Sequence, residues 1–170
     1  MRFSILGAFS RLKLWVIAVG HRMPGWIDAA FEDYARRMPR EAQIKLIEIK
    51  AEPRHESDHS GPSARLTEPE ARRITAAIPT DAYRVVLDER GRDSSTRELA
   101  SRLEKWQMEG RDVAFIIGGA DGLHESVARE ADWVWSLSRL TLPHALVRVV
   151  VAEQLYRAHS ILKNHPYHRD

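Results

Sequence analysis

Along this chain, short apolar runs alternate with longer stretches in which apolar residues recur every three or four positions, so strand and helix signals take turns. Leu14 to Val19 is an apolar run ended by Gly20, and Pro24 opens a segment with Trp26, Ile27, Ala30, Phe31 and Tyr34 at helical spacing. Ile44 to Ile49 alternates as IKLIEI, the pattern of a half-buried strand. Thr67 and Glu70 form a capping-box pattern before ARRITAAI, which predicts a helix start there. Tyr83 to Leu87 is a third strand, and Ser95 with Glu98 begins a helix carrying Leu99, Leu103 and Trp106 as far as Gly110. VAFII, residues 113–117, is apolar throughout, as a central parallel strand covered on both faces should be. GGADG follows, then a short helix from Glu125 to Ala131, a fifth strand in WVWSL, and a final helix from Ala145 to Leu162.

Five strand-helix alternations specify an α/β fold, a mainly parallel sheet with helices on both faces. Ligands of such sheets lie beyond the carboxyl ends of the strands, so the turns after Leu87, Ile117 and Leu137 are the places to look. Residues 51–66, rich in Pro, Ser, Gly and charge, read as a mobile loop. No internal repeat is visible, and residues 13–170 read as a single domain preceded by an extension over residues 1–12, disordered or a misassigned start.

Composition narrows the field. The chain has 170 residues, 44% of them apolar, enough for one core. The formal charge is only +2, but from His144 onward Arg148, Arg157, Lys163, Arg169 and four histidines face only Glu153 and Asp170, which makes that end locally basic and suited to an anionic partner. With no cysteine, disulfides, thiolate nucleophiles and Cys-bearing zinc sites are excluded. Arg11 and Lys13 interrupt the apolar start, and Arg148 and Glu153 interrupt the final helix too early for a membrane span; the reading is a cytoplasmic protein.

Three pieces carry chemistry. IIGGADG sets Gly118 and Gly119 directly after a buried strand, either for a tight turn or for close approach of a ligand; it lacks the G-x-G-x-x-G spacing of a dinucleotide fold. LSRLTLPHALVR bends through Leu137, Ser138, Arg139, Leu140, Thr141 and Leu142 to Pro143, which is either a core-lining loop or the wall of a pocket for a neutral aromatic base. No glycine loop followed by Lys-Ser/Thr is present, which argues against nucleotide hydrolysis. In the final helix Val147, Val151, Leu155, Ala158 and Leu162 form one stripe, widened by Leu146, Val149, Val150 and Ile161, so a second covering surface is expected, either deep burial within the monomer or, most simply, a dimer partner. Glu153 and Arg157 stand four apart as an ordinary helix ion pair, whereas Arg148 has no partner at that spacing and is the better candidate for binding an anion. The closing NHPYHR, with Tyr167, His168 and Arg169, offers too few ligands for a metal and reads either as a frayed terminus or as a tail suited to RNA.

Taken together, IIGG at 116–119, WSLSRLTLPHALVRVVVAEQLYRA at 135–158, the closing HPYHR, DYARRMP and LDERGRDSS resemble the SPOUT-class ribosomal RNA large subunit methyltransferase H family, from about Leu14 to Arg169. The resemblance implies a C-terminal trefoil knot and a pocket for S-adenosyl-L-methionine contacted by Leu87, Gly118, Gly119 and residues 137 to 142, largely through backbone. It implies a homodimer that methylates N3 of a pseudouridine in helix 69 of 23S rRNA on assembled ribosomes, without metal or membrane. Ala120 and Asp121 depart from the proline and glutamate expected there. N3 must lose a proton before attack, so a base or an anion-stabilising cation is required. His168 and His144 are candidate bases, Arg148, Arg157 and Arg169 candidate cations, and Tyr167 a candidate stacking residue; the sequence does not choose among them. The alternatives are a non-catalytic RNA-binding module, a methyltransferase acting on a different RNA, and a nucleotide-dependent oxidoreductase.

Overall fold

The computed structural model describes residues 11–53 and 64–169. Its elements, in chain order, are β1 (Leu12–Val19), α1 (Gly25–Arg37), β2 (Ala42–Ile49), α2 (Ala64–Ala77), β3 (Tyr83–Asp93), α3 (Thr96–Glu109), β4 (Val113–Ile117), α4 (Glu125–Arg129), β5 (Trp133–Ser136) and α5 (His144–Leu162). The strands lie in the order β2-β1-β4-β3-β5, and every neighbouring pair is parallel. The expected α/β architecture is therefore the observed one. β4, read as central from its unbroken apolar run, has all five residues buried between β1 and β3.

Alternation along the strands divides the core into two layers. On one face Leu14, Val16, Ala18, Val85, Phe115 and Trp135 pack against Phe31 of α1, Leu99 and Leu103 of α3, and Val151, Leu155 and Ala158 of α5. On the other, Ile17, Val19, Val86, Ala114 and Ile116 meet Ala71 and Ile74 of α2 and Val127 of α4. α3 starts and stops where its sequence says it should. Ser95 and Glu98 exchange both capping-box hydrogen bonds, and Gly110, at φ 64°, closes the helix by donating its N–H to Trp106.

Several boundaries move. β1 begins at Leu12, two residues earlier than the apolar run suggested, because Leu12 is buried and its N–H reaches Glu41. Residues 1–10 of the expected extension, and 54–63 of the expected loop, lie outside the described residues. α2 already includes Ala64, so Thr67 and Glu70 are not its cap; both are buried inside the helix, where the Glu70 carboxylate accepts the backbone N–H of Glu52 at 2.9 Å. Burial is the leading cause that raises the Glu70 pKa. β3 runs six residues past Leu87, with a break in its pairing to β5 between Leu87 and Arg92. The bulged residues Asp88 to Gly91 leave the ladder, and a side chain on Gly91 would fall 2.7 Å from the carbonyl oxygen of Val134, so only glycine lets the strand rejoin β5.

Candidate functional site

β5 lies at the sheet edge, whereas α5 packs between α1 and α3 with its first turn beside Gly20, at the end of β1. The chain must therefore return across the carboxyl ends of β3 and β4 through residues 137–143. That return leaves a cleft of about 520 Å³ between the β3 bulge, the turn after β4, the bend after β5 and the start of α5. The size suits a small-molecule ligand, and the position is where a parallel sheet binds one.

Each wall has a local cause. Ser136 donates its hydroxyl to the carbonyl of Ser138 at 2.9 Å, and the Ser138 hydroxyl accepts the N–H of Leu140 at 2.9 Å, so two serines shape the bend. Leu137 packs into the core, while Leu140 stands 72% exposed over the cleft. Opposite, the bulge presents Asp88, Glu89 and Arg90; Glu89 accepts the Thr141 hydroxyl at 2.8 Å, and Asp88, held below its ordinary pKa chiefly by hydrogen bonding from the Arg90 side chain, pairs with that guanidinium at 3.1 Å. In the turn after β4, a Cβ on Gly118 would lie 2.7 Å from the carbonyl of Gly122, and one on Gly119 3.0 Å from Val19. Gly122 itself sits at φ 76°, and its N–H closes the turn on Gly119 at 3.0 Å. The glycines thus serve the turn first and bare the cleft as a consequence, with Ala120 and Asp121 at its exposed corner. The floor includes Trp135, 3% exposed, whose indole N–H is buried without an acceptor.

Of the residues singled out for cofactor contact, Leu87, Gly118, Gly119, Leu137, Ser138, Leu140, Thr141 and Leu142 line this cleft; Arg139 is exposed and does not. Asp88, Glu89, Trp135 and His144 line it as well. Neither the bulge residues nor Trp135 stands out in the sequence as cleft lining, because the polar run 88–93 has no alternation that would extend the strand beyond Leu87.

Arg148 does have a partner, one hundred residues away in sequence. Its side chain is wholly buried, Nη1 donating to Glu48 of β2 at 2.9 Å and Nη2 to the carbonyl of Gly20 at 3.3 Å, while Nε lacks an acceptor. It lies one layer behind the cleft, next to the His144 ring, which does face it. Arg157 makes the expected pair with Glu153, its Nε donating at 2.8 Å, and that bond is the first cause raising its pKa. Its guanidinium covers the ring of Tyr167 at 4.6 Å. Glu153 is nine residues along α5 from His144, about 14 Å at a rise of ~1.5 Å per residue, so the closing residues lie well away from the cleft of their own chain.

The first turns of α5 leave Leu146, Val149 and Val150 half-buried after α1 and α3 have packed, whereas Val151, Ala152, Leu155 and Ala158 are fully covered. Trp26, at the start of the neighbouring helix α1, is 63% exposed. Among the described residues no helix is long and apolar enough to cross a membrane.

A sequence family described as "Predicted SPOUT methyltransferase" matches residues 12–168. A protein of Thiobacillus denitrificans called ribosomal RNA large subunit methyltransferase H is 58% identical over 159 residues, covering 94% of this chain and 100% of its own length. Proteins of the same name from Methylobacillus flagellatus and Bordetella petrii are 49% and 54% identical over 94% and 93% of the chain, and over 100% and 99% of their own lengths. Among solved structures, a probable methyltransferase from Bordetella pertussis aligns with a TM-score of 0.54 at 16% identity, over 88% of this chain and 95% of that one. A probable methylase family protein from Haemophilus influenzae aligns with 0.52 at 15%, over 95% and 72%. These two speak to the fold alone.

Proposed function

The chain belongs to the SPOUT methyltransferase family, and from that premise we propose that it transfers a methyl group from S-adenosyl-L-methionine to N3 of a pseudouridine in helix 69 of 23S rRNA, on assembled ribosomes in the cytoplasm, as a homodimer. The observation that carries the reading is the cleft itself. It joins apolar walls from Leu87, Ile117, Leu137, Leu140 and Leu142 to polar groups of the facing bulge and bend, Glu89 and Thr141. A neutral adenine ring needs apolar faces and a few hydrogen bonds at its edge. At the mouth Asp88 is paired with Arg90, and Glu89 leaves the rim with a net negative charge that suits a ligand carrying positive charge. The dinucleotide alternative fits less well. The turn after β4 leads into a helix of five residues that opens with Glu125, and its first N–H groups face the His124 side chain, which accepts from Ser126, so a pyrophosphate would meet a carboxylate there.

When bound, the cofactor supplies a methyl carbon already activated by its sulfonium. The chain must hold that group, orient the uracil-type ring and remove the N3 proton. His144 lines the cleft and is one candidate base; His168 is the other, with Arg169 stabilising the anion as the proton leaves. Arg148 acts from behind, holding the β1–α1 turn against which His144 lies. Since the closing residues lie far down α5 from the cleft of their own chain, we assign them to the cleft of the second copy, brought there by a dimer through the uncovered Leu146–Val150 face. We also assign the family's trefoil knot to the crossing of residues 137–143 over the ends of β3 and β4.

Labelled S-adenosylmethionine incubated with ribosomes from cells lacking this protein tests the whole reading. Label on one pseudouridine of helix 69 is the expected result, with little transfer to free rRNA, because so small a protein must draw on the shape of the assembled ribosome. Equal transfer to naked helix 69 would remove the ribosome from the proposal, and saturable binding of NAD instead would remove the methyl donor.

A further inference from the structure

The polar residues that the cleft does not use gather around the second half of α5. The helix ends in a Schellman motif: Asn164 takes the left-handed conformation at φ 50°, its N–H reaches the carbonyl of Ile161 at 3.1 Å, and His165 N–H reaches Ser160 at 2.9 Å. The chain is thereby turned back along the helix it has just left, and Pro166 stiffens the return. Tyr167 lands two turns upstream. Its hydroxyl donates to Glu153 at 3.0 Å and lies 3.4 Å from the hydroxyl of Tyr34 on α1. Its ring is held between the Arg157 guanidinium at 4.6 Å and Tyr156, whose ring centroid is 4.7 Å away. Glu153 is the hub of this cluster. Its Oε1 takes both Tyr167 and Arg157, and its Oε2 takes the amide of Gln154 at 2.6 Å, whose own oxygen accepts Thr96 of α3 at 2.7 Å. One carboxylate, with its side chain 16% exposed, thus ties the closing residues to three helices. Burial first, then hydrogen bonding to Tyr34 and Glu153, pushes the Tyr167 phenol far above its ordinary range and keeps it a donor.

We infer that Glu153 is a positioning residue, and that Tyr167 is the anchor by which it fixes the closing segment, so that His168 and Arg169 meet the RNA from a rigid mount and Tyr167 does not stack on the target base. The inference rests on the proposed methyl transfer to rRNA. It reassigns Tyr167 and Arg157, both of whose rings and charges are spent within the cluster, from contact with the substrate to support of the residues that make it.

Stacking and anchoring make opposite demands on Tyr167→Phe, which keeps the ring and loses the hydroxyl. Anchoring predicts that Tyr167→Phe lowers turnover on ribosomes about tenfold, as the loss of one buried hydrogen bond would, and Glu153→Ala, which also releases Arg157 and Gln154, by at least as much, while the dissociation constant for S-adenosylmethionine stays within about twofold. The double variant should be no worse than Glu153→Ala alone, since loss of the carboxylate already removes its link to Tyr167. Glu153→Gln, which keeps an acceptor for the phenol, should recover part of the loss. Full turnover by Tyr167→Phe, or additive losses in the double variant, would overturn the inference. A second measurement is independent of activity: carboxypeptidase should release the last residues of the intact dimeric protein faster from Tyr167→Phe than from the parent, and equal rates would also overturn it. If the parent protein transfers no methyl group, the functional reading fails while this second measurement still decides the anchor.

Discussion

Gly118 shows how one residue can be constrained by its own loop and still matter to a ligand. The atom that a Cβ would strike is the backbone carbonyl of Gly122, which cannot swing away as a side-chain tip could. Gly118→Ala should therefore reshape the turn and weaken S-adenosylmethionine binding by tenfold or more, on the order of 1.4 kcal/mol or above, as calorimetric titration would read. Trp135 makes the complementary case. Its indole N–H has no acceptor among the described residues, so Trp135→Phe costs folding little hydrogen bonding. That N–H is closed off from the cleft, so the variant should bind the donor within about twofold of the parent by calorimetric titration, and a roughly tenfold loss would mean that the N–H turns to the ligand on binding.

At the scale of elements, the link between α5 and the sheet is asymmetric. Arg148 is wholly buried, whereas the Glu48 side chain is 36% exposed. Removing the carboxylate strands a charge that water cannot reach, but removing the arginine leaves a carboxylate that can be rehydrated. Glu48→Ala should thus cost about 3–5 kcal/mol of unfolding free energy, and Arg148→Met distinctly less, by denaturant titration. Equal costs would mean that the pair acts through packing alone. The same link pins Gly20 and the β1–α1 turn beside His144, so both variants should also lower methyl transfer more than donor binding. Elements were also the level best legible in the sequence. α3 announced itself through Ser95, Glu98 and Gly110, and β4 through its unbroken apolar run. α2 misled, because Thr67 and Glu70 copy a capping box while tertiary burial and the N–H of Glu52 claim them inside a helix.

For the whole molecule, the decisive question is what covers the first turns of α5. Leu146, Val149 and Val150 keep part of their surface after the chain has packed every helix it has against that side of the sheet. Val150→Asp should convert a dimer to a monomer in sedimentation or scattering, leave the fold of the monomer intact, and abolish methylation of ribosomes while donor binding weakens less. A monomer in the parent protein, or an active monomeric variant, would require the cleft and the closing residues to meet some other way.

Period and punctuation, which are local, determined the element order, the parallel sheet, the bend with its leucines and the glycine turn, because each depends on residues a few positions apart. The partners that come from afar depended on the folded chain. Glu48 for Arg148, Tyr34 for Tyr167, and the bulge that carries Asp88 and Glu89 to the cleft join residues widely separated in sequence, and no spacing rule along one helix can reveal such contacts. The physical reason is that a buried charge or phenol is satisfied by whatever polar group the fold brings within about 3 Å, and that neighbour is chosen by strand order and helix packing rather than by sequence proximity.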